Sequence, residues 1–315
     1  MNQIEKFDHP FSFHGQGLKL FVILVVNVFL TIITLGIYYP WAKAALMRFY
    51  AQETEFAESR FMFHGTGKEM FLGYLKALGL FIAALVILAI VGSIFPPLAA
   101  LLYFVFIFGV IPFAIHGSLR YRASRTSWRG IHFGYRGKLK ELLKIYFKGL
   151  FLTLITVGIY GPWFTINVRK YIIDNMRFGN VEMTYSGKGS EFFWVVIKGF
   201  FLTILTLGIY SFWYSKDLIH YTINHIHWHQ GMNVSKMKSH ITVGAIFTNF
   251  LFAFAVILTA GIALPWYIIH SIKVVTDSTE LRGEFDPNKI AQTEEEYKDA
   301  TGEDMLDMLD ISLDI

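Results

Sequence analysis

The sequence predicts an all-α multi-pass membrane protein with about six strong transmembrane helices. These fall in roughly five repeated strand–helix–break–helix units, with short β segments at the membrane surface. Three observations carry this expectation. No Asp, Glu, Lys, Arg or His occurs in Leu20 to Ala42, Ala77 to Ile115, Gly149 to Val168 or Ile241 to Ile269. A further apolar run, Phe192 to Ser215, is interrupted only by Lys198. Finally, one segment recurs almost intact as NVFLTIITLGIYYPW (27–41), GLFLTLITVGIYGPW (149–163) and GFFLTILTLGIYSFW (199–213).

Each run meets the length of about 20 residues that a helix needs to cross the hydrocarbon core. The run from Ala77 to Ile115 is long enough for a two-helix hairpin split at Pro96-Pro97, giving six spans in all. Composition agrees: of 315 residues, 54% are hydrophobic and 17% charged, against about 25% charged in soluble domains. The start, MNQIEKFDHPFSFHGQG, is polar and is not expected to be a cleaved signal peptide. Cysteine is absent, which removes disulfides and thiolate metal sites. The net charge of +4 gives no reason to invoke nucleic acid.

The units lie near 11–60, 61–132, 133–182, 183–233 and 234–285, forming one membrane domain over 1–293. Each begins with a short alternating segment such as FSFHG or FMFHG, which reads as a strand. Its Gly-x-Gly starts a hydrophobic helix. A break then follows, marked by Gly36, Pro40 and Trp41; by Gly158, Pro162 and Trp163; by Gly208 and Trp213; and by Gly261, Pro265 and Trp266. Pro112-Phe113 is the weakest copy and lacks the Gly. A shorter, more polar helix follows, since Pro suits the first helical position. Sixteen residues beyond each anchor stands a large apolar residue: Phe56, Trp128, Phe178, Trp228 or Leu281. The acidic tail 294–315 reads either as solvated chain or as a short docking helix carrying Met305, Leu306, Met308, Leu309 and Ile311.

FxFxGxG, then LTxxTLGIYxPW, then a basic aromatic helix and a Thr-led strand: this order resembles the YjgN family of bacterial inner-membrane proteins, over most of residues 11–285. The resemblance implies a bacterial inner-membrane location and, the family being of unknown function, no chemistry. Phe212 departs from the motif where Pro is expected, and the tail lies outside the match.

Two topologies fit. In one, six helices cross in turn; the loop 118–142, with seven Lys or Arg, is then cytoplasmic. In the other, each short polar helix turns back, so that every unit is a hairpin and all strands share the cytoplasmic face.

Eight residues past each anchor is a basic or potentially basic side chain: Arg48, Arg120, Lys170, His220 and Lys273. Lys148 and Lys198 stand inside apolar spans, in matching KG[LF]FLT contexts. Charges at membrane depth are functional candidates. They could line a path for an anion or amphiphile, or simply reach to lipid phosphate. His225, His227 and His229 alternate, but no Cys or nearby carboxylate supports metal binding, and His14 and His64 read as turn residues. The Gly-x-Gly pairs lack the remainder of a nucleotide motif. No metal or cofactor is therefore expected, and without a catalytic constellation in the spans neither is an enzyme. The favoured function is a channel or transporter for an anionic or amphiphilic solute. The alternative is a non-transporting envelope protein that binds membrane lipid or scaffolds partners.

Overall fold

A computed structural model describes residues 8–293, and the acidic tail lies outside these described residues. The ten described strands form one closed barrel: β1 (Asp8–Phe13), β2 (Thr54–Phe56), β3 (Ser59–Phe63), β4 (Thr126–Trp128), β5 (Ile131–Tyr135), β6 (Met176–Phe178), β7 (Val181–Tyr185), β8 (Ile226–Gln230), β9 (Asn233–Ser239) and β10 (Thr279–Arg282). Every neighbouring pair is antiparallel, and β1 closes the ring on β10 with His9 opposite Leu281. Closure matters physically. Strands of three to seven residues are too short to stand alone, and a barrel leaves no unpaired edge.

Ten described α-helices form five hairpins. They are α1 (Gly17–Ile33) with α2 (Tyr39–Glu53), α3 (Gly67–Ile94) with α4 (Pro96–Arg125), α5 (Leu139–Ile155) with α6 (Gly161–Asp174), α7 (Gly189–Leu205) with α8 (Ser211–Asn224), and α9 (Val243–Leu258) with α10 (Leu264–Thr276). Each hairpin leaves the end of one strand and returns to the strand paired with it, as β1 pairs with β2. The next strand is reached through a two-residue turn. Phe56 faces Ser59, Trp128 faces Ile131, Phe178 faces Val181 and Gln230 faces Asn233. Left-handed backbone at Ala57–Glu58 and at Arg129–Gly130 is what such tight hairpins require. An antiparallel ring built this way puts the turns at one end and all five helical hairpins at the other.

The all-α, six-span fold class is therefore overturned. The chain carries a closed β-barrel, and among the described residues only α3 (28 residues) and α4 (30 residues) are long and apolar enough to cross a bilayer. The other four apolar runs supply helices of 16 or 17 residues, about 25 Å long against a core of about 30 Å. An apolar run counts the first arm, the turn and the start of the second arm as one segment. The Gly turn divides them, and each break returns the chain to the barrel. The second unit breaks at Phe95–Pro96, while Pro112 lies inside α4.

The barrel bore is solid. Phe56, Trp128, Phe178, Trp228 and Leu281, one from each even strand, are all at most 5% exposed. Each faces a large apolar residue on the odd strand beside it: Phe11, Phe61, Phe133, Met183 and Met237. The belt meets across the axis, with the Phe56 and Trp228 rings 5.6 Å apart and those of Phe178 and Trp228 6.0 Å apart. At the turn end Phe285 covers it, packing on Phe56 and Trp228. Above the barrel each helix packs on the next, and α1 packs on α10, closing a ring of helices.

Candidate functional site

The recurring break motif is a built turn. In the first hairpin Thr34 Oγ1 donates to Leu30 O (2.7 Å) and accepts the Tyr38 N–H (3.0 Å), so one hydroxyl caps both arms. Thr156, Thr206 and Thr259 do the same for Tyr160, Tyr210 and Ala263. The residue after each Thr and the Gly after that are left-handed, for example Leu35 at φ 50° and Gly36 at φ 91°. Gly is the residue that takes such a φ without strain.

Trp41, Trp163 and Trp266 lie against Gly67, Gly189 and Gly17, the first residues of α3, α7 and α1; a Cβ on any of these glycines would collide with the indole. Where the motif weakens, as at Pro112-Phe113 and Phe212-Trp213, the residue opening the next helix is Leu139 or Val243 instead. The break motif thus clasps neighbouring units together.

The basic positions divide into two sets. In the second arms, Arg48 Nη2 approaches Gly65 O (3.5 Å), Lys170 Nζ donates to Tyr185 O (3.0 Å), and His220 Nε2 lies 3.0 Å from Ile241 O. These bonds join three of the hairpins to the strand end of the following unit. Arg120 is also engaged, and Lys273 sits in the last turn of α10. The C-terminal ends of these arms repeat a second stitch. Asp174, Asn224 and Asp277 accept the N–H of Tyr185, Ser239 and Phe13, each at 2.8 Å.

The first arms behave differently. Lys148 and Lys198 are the tenth residues of α5 and α7. Lys76 is the tenth residue of α3, and it belongs with them. The same shift of 122 that carries Phe61 onto Met183 carries Lys76 onto Lys198, a signal that the search for uncharged runs passes over. Among the described residues none of the three has a hydrogen-bonding or ion-pairing partner.

Lys148 and Lys170 come together in a groove of about 430 Å³ between α5 and α6 that is also lined by Glu141, Tyr160, Asn167 and Asp174. Lys170 and Asp174 pair with each other at 2.9 Å.

The histidine row is occupied by neighbouring groups. His225 Nδ1 bonds Tyr221 O at 2.7 Å, His227 Nε2 lies 2.8 Å from Ser186 Oγ, and His229 Nε2 lies 2.7 Å from Thr184 Oγ1. Burial, then the charges of Lys236, His229 and His225, lower the pKa of His227 and favour its neutral form. His14 and His64 stand on the barrel's outer face, His14 3.1 Å from Glu55 and His64 2.7 Å from Ser127.

Comparison with known proteins gives the chain a family. The model of a family described as bacterial protein of unknown function (DUF898) matches residues 8–185, 180–221 and 214–308. A protein of Salmonella typhimurium named inner membrane protein YjgN is 31% identical over 171 residues, which is 50% of this chain and 42% of that protein. A protein of the same name in Escherichia coli O157:H7 is 34% identical over 169 residues, 54% of this chain and 41% of that protein. The matched region thus spans less than half the length of these relatives. No solved structure matches.

Proposed function

The chain belongs to the DUF898 family and is an inner membrane protein, and on that premise we propose that it is a non-conducting, lipid-binding protein of the bilayer. In this reading α3–α4 crosses the membrane, and the four short hairpins enter only the leaflet nearest the barrel. The barrel rests on the cytoplasmic surface, in keeping with Arg60, Arg129, Arg177 and Lys236 on its strands and turns and with the uncharged hairpin tips.

The observation that carries the reading is the contrast between tips and bore. Leu35, Val157 and Leu207 cap three of the four short hairpins at 94%, 91% and 95% exposure, apolar surface suited to cover by lipid. The bore on the barrel axis is filled by the belt of Phe56, Trp128, Phe178, Trp228 and Leu281, so the axis supplies no route for a solute. Depth follows from length. From Lys148 to the end of α5 at Ile155 the helix advances about 10 Å, and from Lys76 to the end of α3 at Ile94 about 27 Å.

Thiol labelling tests this directly, because native cysteine is absent. Phe95→Cys is expected to react with an impermeant reagent from the periplasmic side. Leu35→Cys, Val157→Cys and Leu207→Cys are expected to be protected from both sides. Labelling of all four from the periplasm would replace the reading with full crossings. Proteoliposomes are expected to show no protein-dependent leak of small anions; a leak abolished by Lys148→Glu would restore the transport reading.

A further inference from the structure

The groove between α5 and α6 holds two charges of opposite sign that make no ion pair among the described residues. Lys170 and Asp174 neutralise each other, and both are also bonded to Tyr185, Lys170 to its carbonyl and Asp174 to its N–H. What remains is Lys148 toward the hairpin tip and Glu141 toward the barrel. They lie seven residues apart on one face of α5, about 10 Å along the helix axis. Glu141 has the Tyr171 hydroxyl as a neighbour and makes no ion pair among the described residues. Beside Lys148, Asn167 Nδ2 approaches the Tyr160 hydroxyl at 3.4 Å, so further hydrogen-bonding groups face the same end of the groove.

We infer that this groove binds the headgroup of a zwitterionic aminophospholipid. Its phosphate is held by Lys148 with Tyr160 and Asn167, and its ammonium is directed to Glu141. This rests on the proposed embedding of the short hairpins. An unpaired ammonium in an apolar helix needs a counter-anion, and lipid phosphate at the interface is the anion within its reach. A purely anionic headgroup would answer Lys148 and leave Glu141 facing a negative charge. A primary ammonium answers both, with three donors that a quaternary ammonium lacks. The corresponding place on α7–α8 is not equivalent. Glu191, at the position of Glu141, is there paired with Lys188 at 3.3 Å.

The test is lipid retention by the full-length protein in detergent, with phosphatidylethanolamine, phosphatidylcholine, phosphatidylglycerol and soluble phosphoethanolamine as probes, read by native mass spectrometry. Phosphatidylethanolamine is expected to be retained most strongly. Lys148→Met is expected to weaken that retention roughly tenfold or more, the scale of one charged hydrogen bond, while Lys198→Met leaves it unchanged. Glu141→Gln is expected to abolish the preference for phosphatidylethanolamine over the choline lipid and to leave phosphate-dependent binding in place. Tight binding of soluble phosphoethanolamine would make the ligand a free solute and overturn the lipid assignment. Equal retention of all three lipids, or equal loss in Lys148→Met and Lys198→Met, would overturn the site. Such a failure with Val157→Cys still protected leaves the embedded hairpins standing, whereas labelling of that thiol from water removes them independently.

Discussion

The α3–α4 hairpin and the four short hairpins stand on the same barrel and are built from the same repeat, yet they differ in reach. The short arms end at a Thr-capped Gly turn after 16 or 17 residues. The second unit has no such turn at the corresponding place. Its first arm runs for 28 residues and ends at Phe95, just before Pro96 starts the return. The lysine at the tenth helical position is retained in α3, α5 and α7, so the extra length lies beyond a shared level. A repeat can thus change how far it reaches from the barrel through the distance to its turn alone.

The largest expected effect asks whether both kinds of hairpin depend on one base. Trp128 lies below the long hairpin and donates its Nε1–H to Phe56 O (3.0 Å) and Ser59 O (3.1 Å). Phe178 lies below a short hairpin and stacks on Phe133 at 4.3 Å. Trp128→Ala and Phe178→Ala are each expected to destabilise the protein by about 3–5 kcal/mol, measured as unfolding in detergent. A loss confined to one of them would show that the two hairpin types are not carried by a common belt.

A smaller effect separates the clasped interfaces from the one that follows the long hairpin. Gly189→Leu places a side chain where Trp163 packs, with even the Trp163 Cα close by, and is expected to cost about 1–3 kcal/mol. The reverse change at the corresponding position, Leu139→Gly, removes a buried side chain and is expected to cost a similar amount, for lost packing rather than overcrowding. A Gly189→Leu variant as stable as the parent protein would mean that the indole is not held rigidly.

The smallest effect belongs to the barrel exterior, at the base of the α9–α10 hairpin. Burial works to raise the Glu280 carboxyl, but hydrogen bonds from His240 and Arg282 outweigh it and hold its pKa below the ordinary value. A depressed carboxylate contributes stability that is fully present above its unfolded pKa, near 4.5. That stability is lost as pH falls through the lower folded value. Glu280→Gln is therefore expected to cost on the order of 1 kcal/mol at neutral pH, with the difference from the parent protein vanishing in acid. A difference that does not shrink at all as pH is lowered below about 4.5 would show that the effect is packing rather than charge.

Much of the local structure was legible in the sequence. The repeat, the break at Gly36, Gly158, Gly208 and Gly261, and the apolar residue sixteen places past each anchor all appear as spacing. The role of the FxFxGxG glycines is local too. Gly15, Gly65, Gly137 and Gly187 lie against the ring of the aromatic residue two places earlier. In the fifth unit Ser239 replaces the aromatic, and Ile241 takes the place of Gly. Crossing number was misread, because hydropathy reports how apolar a run is and not where it turns. The candidate site was half legible. Lys148 and Lys170 both stood out by position, but their meeting in one groove, with Lys170 neutralised by Asp174, depends on how α5 packs on α6.

By itself the sequence determined the units: Gly, Pro and Thr fix backbone geometry within a few residues, and apolar runs mark what must leave water. Only the tertiary structure decided that ten short strands close into a filled barrel. It also decided that five hairpins rise from one end, and that Lys148 and Glu141 have no ion-pair partner among the described residues in a groove where Lys170 and Asp174 neutralise each other. The physical reason is that strand pairing, belt packing and charge neutralisation join residues from opposite ends of the chain, as in the closure of Asp8 on Arg282, and no local spacing encodes which distant partner each group will meet.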